Sequence, residues 1–140
     1  MSVRNKKELI KNKIIADHGC KDICHRCTRV LAFIDKMEES HIPVEYWFLN
    51  MKNFSGVPLL KNTVEEYINK LDDNYMNGKS LCFIGNQGIG KTMASICILK
   101  AALKKKYSAY YITASDLLTC MTDYNEKNEL KYCVLLKANK

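Results

Sequence analysis

The chain has 140 residues, of which 47% are hydrophobic and 26% are charged, a composition typical of one modest globular domain with an appendage. No apolar run approaches the length of about 20 residues that crosses a bilayer. The charged start of the chain has no apolar stretch behind it, so it does not resemble a secretory signal. Seven cysteines in a chain without an export signal favour reduced thiols in the cytoplasm over a disulfide framework.

The net charge of +7 is unevenly distributed along the chain. Residues 1–30 hold eight basic and three acidic side chains, and residues 91–113 hold five lysines and no acid. Basic clusters of this kind suit a nucleic acid or another polyanion. A solvated surface explains the same charge equally well.

The first part of the chain is predicted to be helical. Residues 4–17 form a short basic helix with isoleucines at helical spacing, and residues 28–39 form an amphipathic helix. Pro43 disfavours helix for the residue before it. The aromatic residues within 44–48 are predicted to seal the core, with contact to an adenine ring as the alternative.

Between these two helices lies a cluster of cysteine and histidine residues. Cys24 and Cys27 have the C-x-x-C spacing of a zinc knuckle, and Cys20 offers a third thiolate. His18 is the predicted fourth ligand, and His25 is the alternative. Three thiolates and an imidazole suit tetrahedral Zn²⁺. A cysteine-rich turn without metal is the competing interpretation.

A loop over residues 50–60 is predicted from its glycine and proline, followed by a helix over 62–76. Asn62 or Thr63 caps this helix in the prediction, and the Asn-Gly pair at 77–78 ends it. Its apolar residues fall on one face, which indicates packing against the rest of the domain.

Residues 85–92, GNQGIGKT, match the phosphate-binding pattern G-x-x-x-x-G-K-[ST] at every fixed position. The glycines allow backbone N–H groups to turn toward phosphate. Lys91 reaches the β- and γ-phosphates of ATP, and the Thr92 hydroxyl is a ligand for Mg²⁺. These two residues carry the predicted catalytic roles. The predicted nucleotide-binding residues are Gly85, Asn86, Gln87, Gly88, Ile89, Gly90, Lys91, Thr92 and Met93.

The residues around this phosphate loop favour a strand, the loop and then a helix. Residues 81–84 are an apolar run that predicts a buried strand, and an apolar stripe follows the loop up to three lysines at 104–106. Residues 108–113 are rich in β-formers and predict a second strand. A further helix is expected from Ala114, and a short one within residues 125–140.

These stretches resemble the DnaC/DnaI-like helicase loaders and the IstB-type transposition helper ATPases, a branch of the AAA+ ATPases. The resemblance rests on GKSLCFIGNQGIGKT, on AYYITASDLL, on the segment 41–46 with Phe54, and on the cysteine cluster. It implies an α/β P-loop NTPase core of the AAA+ type, preceded by a helical region with a small zinc-binding knuckle. The implied boundary separates an N-terminal docking region, 1–60, from part of the ATPase domain, 61–140.

The chain departs from that family after Tyr111. The family continues into an apolar strand that ends in paired acids, which hold magnesium and activate water, whereas the acids here are isolated. They are Asp116, Asp123, Glu126 and Glu129. The resemblance therefore implies an incomplete core and the N-terminal part of a longer protein. We expect ATP binding with little or no hydrolysis.

The function expected from the sequence is that of an ATP-binding protein acting in DNA replication or transposition. The implied partner is a replicative helicase or a transposase complex, single-stranded DNA suits the basic segments, and the complete protein could form a homo-oligomer. No membrane partner is expected. The alternative is a non-catalytic, zinc-stabilised basic adaptor with a vestigial phosphate loop. A GTPase or a small-molecule kinase is disfavoured, because no N-K-x-D motif, lid or set of substrate-binding acids is visible.

Overall fold

The computed structural model describes residues 3–20 and 24–122 of the chain, and this part is built from helices. The elements in chain order are α1 (Val3–Asp17), α2 (His25–Glu39), the 3-10 turns Val44–Tyr46 and Met51–Asn53, α3 (Pro58–Asn69), α4 (Leu71–Met76), α5 (Lys91–Lys104) and α6 (Ala114–Thr122).

The predicted α/β fold class is wrong, because residues 3–20 and 24–122 contain no β-strand. Residues 81–84 and 108–113 have the apolar and β-forming side chains of strands, but neither pairs with a neighbour. Ile84 is 90% exposed instead of buried, and the Tyr111 N–H donates to the Ser40 carbonyl at 2.8 Å. A strand is stabilised by the ladder to its partner, so β-forming side chains alone do not create one. The prediction of a P-loop NTPase core of the AAA+ type is therefore wrong as well, because that core is built around a β-sheet.

The helices predicted within the described residues are present, with shifted ends. The helix expected over 62–76 begins at Pro58 and is divided at Lys70 into α3 and α4. Proline is favourable in the first helical turn, where its missing N–H has no partner to lose, so the helix extends into the predicted loop. Val57 therefore occupies the N-cap position predicted for Asn62 or Thr63. Gly78, with φ of +62°, follows the end of α4 as expected.

The first core cluster joins α2, the segment after it and α5. Trp47 is 5% exposed, and its Nε1–H donates to the Ile42 carbonyl at 2.8 Å, which satisfies the buried indole N–H. The predicted sealing role of residues 44–48 is thus met by Trp47, whereas Phe48 is 61% exposed. The buried members are Ile34, Met37, Ile42, Trp47, Ile96, Leu103 and Ala109.

The second core cluster lies on another side of α5, which contributes to both. Val64 of α3 is fully buried there, and Phe54 packs beneath the loop that precedes α5. The buried members are Phe54, Val64, Ala94 and Cys97. Because α5 is shared, the two clusters place the phosphate loop at the start of a helix held on two sides.

Lys100 of α5 is a buried cation within this framework. Its ammonium donates to the carbonyls of Tyr46 and Trp47, at 3.3 and 2.7 Å, and to that of Leu49. Burial lowers the pKa of Lys100 from its ordinary value. The side chain thereby ties α5 to the irregular segment between α2 and α3.

The last described helix, α6, starts where the sequence predicted. The Thr113 hydroxyl and the Asp116 carboxylate hydrogen-bond at 2.6 Å, and the Asp116 N–H donates to the Thr113 hydroxyl at 3.2 Å, which caps the first turn. The helix expected within residues 125–140 lies outside the described residues. None of the described helices combines the length and the apolar character needed to cross a membrane.

Candidate functional site

The predicted zinc ligands come together at the junction of α1 and α2. His18 and Cys20 follow the end of α1, where Gly19 turns the chain with φ of +65°. Cys24 is the N-cap residue of α2, and Cys27 lies in the first turn of that helix. The helix therefore places both cysteines of the C-x-x-C pair at its amino end, facing the residues that leave α1.

The four ligand atoms lie within 4.8 Å of one another, and such a group could hold a metal ion such as zinc. The Cys20 and Cys27 sulfurs are 3.9 Å apart, and His18 Nδ1 lies 3.6 Å from the Cys24 sulfur. Two thiolates on one tetrahedral Zn²⁺, with Zn–S bonds of about 2.3 Å, are about 3.8 Å apart. The His18 Nδ1 to Cys20 sulfur distance of 2.7 Å is shorter, so this pair must separate to accept an ion.

The same geometry decides between the two candidate histidines. His18 belongs to the group, whereas His25 is exposed at the start of α2 and is not a member. A proton shared between His18 and Cys20 is the kind of contact that a metal ion replaces, because both atoms are good ligands once deprotonated. The predicted set of His18, Cys20, Cys24 and Cys27 is therefore confirmed as a group that can hold a metal.

The thiols of this group differ in acidity. A hydrogen bond from the Cys27 backbone N–H, followed by one from the Cys20 thiol, lowers the pKa of Cys24 to about 7. Burial raises the pKa of Cys27 to about 11. Cys27 is 2% exposed. At neutral pH a metal must therefore displace the Cys27 proton, whereas the Cys24 thiol is already partly ionised.

The phosphate loop leads directly into α5. Gly85, Gly88 and Gly90 have φ values of +152°, +85° and +98°, which only glycine adopts without strain. Gly90 is the N-cap of α5, and its carbonyl accepts the first helical hydrogen bond from the Ala94 N–H at 2.9 Å. The glycine positions of the predicted pattern thus coincide with the turns that the backbone makes.

Lys91 folds back over this loop. Its ammonium donates to the Gly85 carbonyl at 2.8 Å and to the Asn86 carbonyl at 2.6 Å. The positive charge is thereby held beside the loop backbone at the amino end of α5, where the helix dipole also favours an anion. Thr92 is exposed in the first turn of α5, so its hydroxyl is open to solvent.

Phe54 and Gly56 support the loop, a role that the sequence analysis did not assign, although Phe54 was part of the family resemblance. A Cβ on Gly90 would lie 3.2 Å from the Phe54 ring, and one on Gly56 would lie 2.6 Å from that ring and 2.7 Å from the Ile89 carbonyl. Gly56 lies in the glycine- and proline-containing stretch before α3, which was the available signal. Close packing of a buried ring against two glycines fixes the height of the loop above the second core cluster.

The two sites are separate in the described part of the chain, where no hydrogen bond or ion pair joins the cysteine group to the phosphate loop. Asp116, which the sequence left as an isolated acid, is engaged in capping α6. No known protein family, curated protein or solved structure matches the chain.

Proposed function

We propose that this chain binds the phosphates of ATP, with Mg²⁺, at the loop of residues 85–92. The observation that carries the proposal is the position of the Lys91 ammonium, which lies against the loop at the amino end of α5. A triphosphate would replace the two carbonyl oxygens as the partner of this cation. Thr92 is the proposed Mg²⁺ ligand, and the backbone of Asn86–Lys91 the proposed phosphate cradle.

Binding without appreciable hydrolysis is the expected activity. Phosphoryl transfer to water needs a group that orients the water and further charges that stabilise the leaving phosphate. The sequence offers no paired acids after Tyr111, and Asp116 is committed to a helix cap. Lys91 and Thr92 would thus bind and orient the nucleotide.

The test is the ATP affinity of the zinc-supplemented full chain, measured by calorimetric titration with and without Mg²⁺. Lys91→Ala is expected to weaken binding at least about tenfold, because the variant loses a charge-assisted contact to phosphate. Lys79→Ala, at an exposed lysine outside the loop, serves as the control. Equal ATP affinity of the Lys91→Ala variant and the parent chain would contradict the proposed site.

We further propose that the metal held by His18, Cys20, Cys24 and Cys27 is Zn²⁺, and that it stabilises a docking region. The proposed partners are a replicative helicase or a transposase complex, in replication or transposition. Support comes from the thiolate-rich ligand set, which suits Zn²⁺ over harder cations. Co-sedimentation of the zinc-loaded chain with a purified replicative helicase, compared with the zinc-free Cys27→Ser variant, tests the docking role.

The second candidate function is a zinc-stabilised adaptor that does not use nucleotide. It is favoured by the compact ligand group, which is independent of the phosphate loop. One zinc per chain together with no measurable ATP binding would select this function. Zinc together with Lys91-dependent ATP binding would select the first.

A further inference from the structure

A wide basic groove runs between α2 and the carboxyl end of α5. It has a volume of about 1030 Å³ and receives one wall from each helix. None of the described residues that line it carries a carboxylate. Its cations are Arg26, Arg29, Lys36, Lys104 and Lys106.

The groove unites the two basic stretches that the sequence shows far apart. Arg26 and Arg29 belong to residues 1–30, whereas Lys104 and Lys106 belong to residues 91–113. The ion pairs described in the structure use other lysines, namely Lys11, Lys70 and Lys105. Five cations on facing walls, with no acid among the described lining residues, create a positive potential that a polyanion would neutralise.

Helix stability does not explain this arrangement. Lys104 and Lys106 lie at the carboxyl end of α5, where cations favour the helix dipole. Arg26 lies in the first turn of α2, where the helix dipole disfavours a cation, and Arg29 lies just beyond that turn. The dipole of α2 therefore does not account for these arginines.

The groove also offers apolar surface between its cations. Val30 is 40% exposed, and the half-buried Phe33 ring lies beneath the Lys104 ammonium, 5.8 Å from the ring centroid. Single-stranded nucleic acid combines a phosphate backbone with bases that stack on aromatic rings, which this mixture of surfaces fits. Duplex DNA hides its bases, and an acidic peptide has no need for a stacking ring.

We propose that this groove binds single-stranded nucleic acid, with the five cations on the phosphates and Phe33 against a base. The contact reads no sequence, because phosphate contacts carry none. The groove includes neither the phosphate loop nor the cysteine group, so this proposal is independent of ATP binding.

The experiment measures fluorescence anisotropy of a labelled oligothymidylate of about 20 nucleotides, with the zinc-supplemented full chain at several salt concentrations. The test variant combines Arg29→Gln, Lys36→Gln and Lys104→Gln. Its affinity is expected to fall at least about tenfold, and the slope of log affinity against log salt by about 2, since each lost contact to a single strand contributes about 0.7.

The matched control combines Lys13→Gln, Lys52→Gln and Lys79→Gln, which removes the same charge from exposed positions outside the groove. We expect its affinity to stay within about twofold of the parent chain. Equal losses in both triple variants would overturn the proposal, because net charge alone would then account for binding.

A second variant, Phe33→Leu, isolates the aromatic contact while keeping all cations. Its affinity is expected to fall about fivefold or more, as for the loss of one stacked base. Tighter binding to duplex DNA, or competition by polyglutamate at equal charge concentration, would contradict the assignment to a single strand. Lys91→Ala is expected to leave oligonucleotide binding unchanged, which keeps this result distinct from the ATP test.

Discussion

The single residue that most clearly depends on its surroundings is Lys100. Its ammonium donates to the carbonyls of Tyr46, Trp47 and Leu49, which lie in and just after the 3-10 turn Val44–Tyr46. A buried cation is costly, as its lowered pKa indicates, but carbonyls shielded from water without a donor are costly as well; of the three, the Tyr46 carbonyl also accepts from the Leu49 N–H at 3.1 Å. The three hydrogen bonds that the ammonium donates offset the cost of burying its charge.

Replacing this lysine by methionine, Lys100→Met, keeps the length and apolar stem of the side chain but removes the donors. We expect the free energy of unfolding to fall by about 2 kcal/mol, the cost of leaving buried carbonyls unpaired. Urea unfolding followed by Trp47 fluorescence measures the change. Lys104→Met, one turn further along α5 and exposed, is the control. A Lys100→Met variant as stable as the parent would show that the carbonyls find other donors.

The burial of Lys100 was hard to predict, because lysine is seldom buried. One signal was present: the residue lies three positions after Cys97, four after Ile96 and three before Leu103, on the apolar face of α5. By contrast, His18, Cys20, Cys24 and Cys27 were predictable, since ligand spacing is local and the two helices that flank it were visible from their periodicity.

Among the elements, the helices could be predicted, whereas the two predicted strands are absent from residues 3–20 and 24–122. A helix closes its hydrogen bonds within itself, so periodicity in one segment is sufficient. Residues 81–84 and 108–113 needed a partner, and nothing in the sequence of either segment states which neighbour it receives. The glycines of the phosphate loop were predictable because their positive φ values follow from the loop itself.

The junction of α1 and α2 is the element whose stability we expect to depend on a bound metal. α1 is otherwise held by the Lys11–Asp35 ion pair at 2.9 Å and by partly buried isoleucines on its inner face. We expect Cys27→Ser to abolish the binding of one zinc per chain and to lower the thermal midpoint, since metal binding stabilises the folded state alone. Elemental analysis and circular dichroism melts measure both effects.

The control for the metal is Cys82→Ser, because Cys82 is exposed and lies outside the ligand group. It should retain one zinc per chain and the midpoint of the parent. If Cys27→Ser kept its zinc, the metal would be held elsewhere. If zinc removal left the melting curve of the parent unchanged, the group would not support the junction.

At the scale of the whole molecule, α5 couples the two core clusters. Ile96 and Leu103 pack in the cluster that contains Trp47, while Ala94 and Cys97 pack with Val64 on another side of the same helix. A helix cannot lose one of these sides without disturbing the other, because its backbone hydrogen bonds are common to both. The described part of the chain should therefore unfold in one cooperative transition.

Val64→Ala tests this coupling, because Val64 is fully buried in one cluster and Trp47, the only tryptophan, reports from the other. We expect the variant to lower the free energy of unfolding by about 2 kcal/mol through the cavity that it leaves. If the two clusters unfold together, the Trp47 fluorescence transition and the loss of helical circular dichroism both move to lower urea concentration. Both must then report the same decrease in the free energy of unfolding. Val57→Ala, at a 47% exposed valine, should leave both transitions in place. A circular dichroism shift without a matching Trp47 shift would mean that the clusters unfold independently, and the phosphate loop would then depend on the Val64 cluster alone.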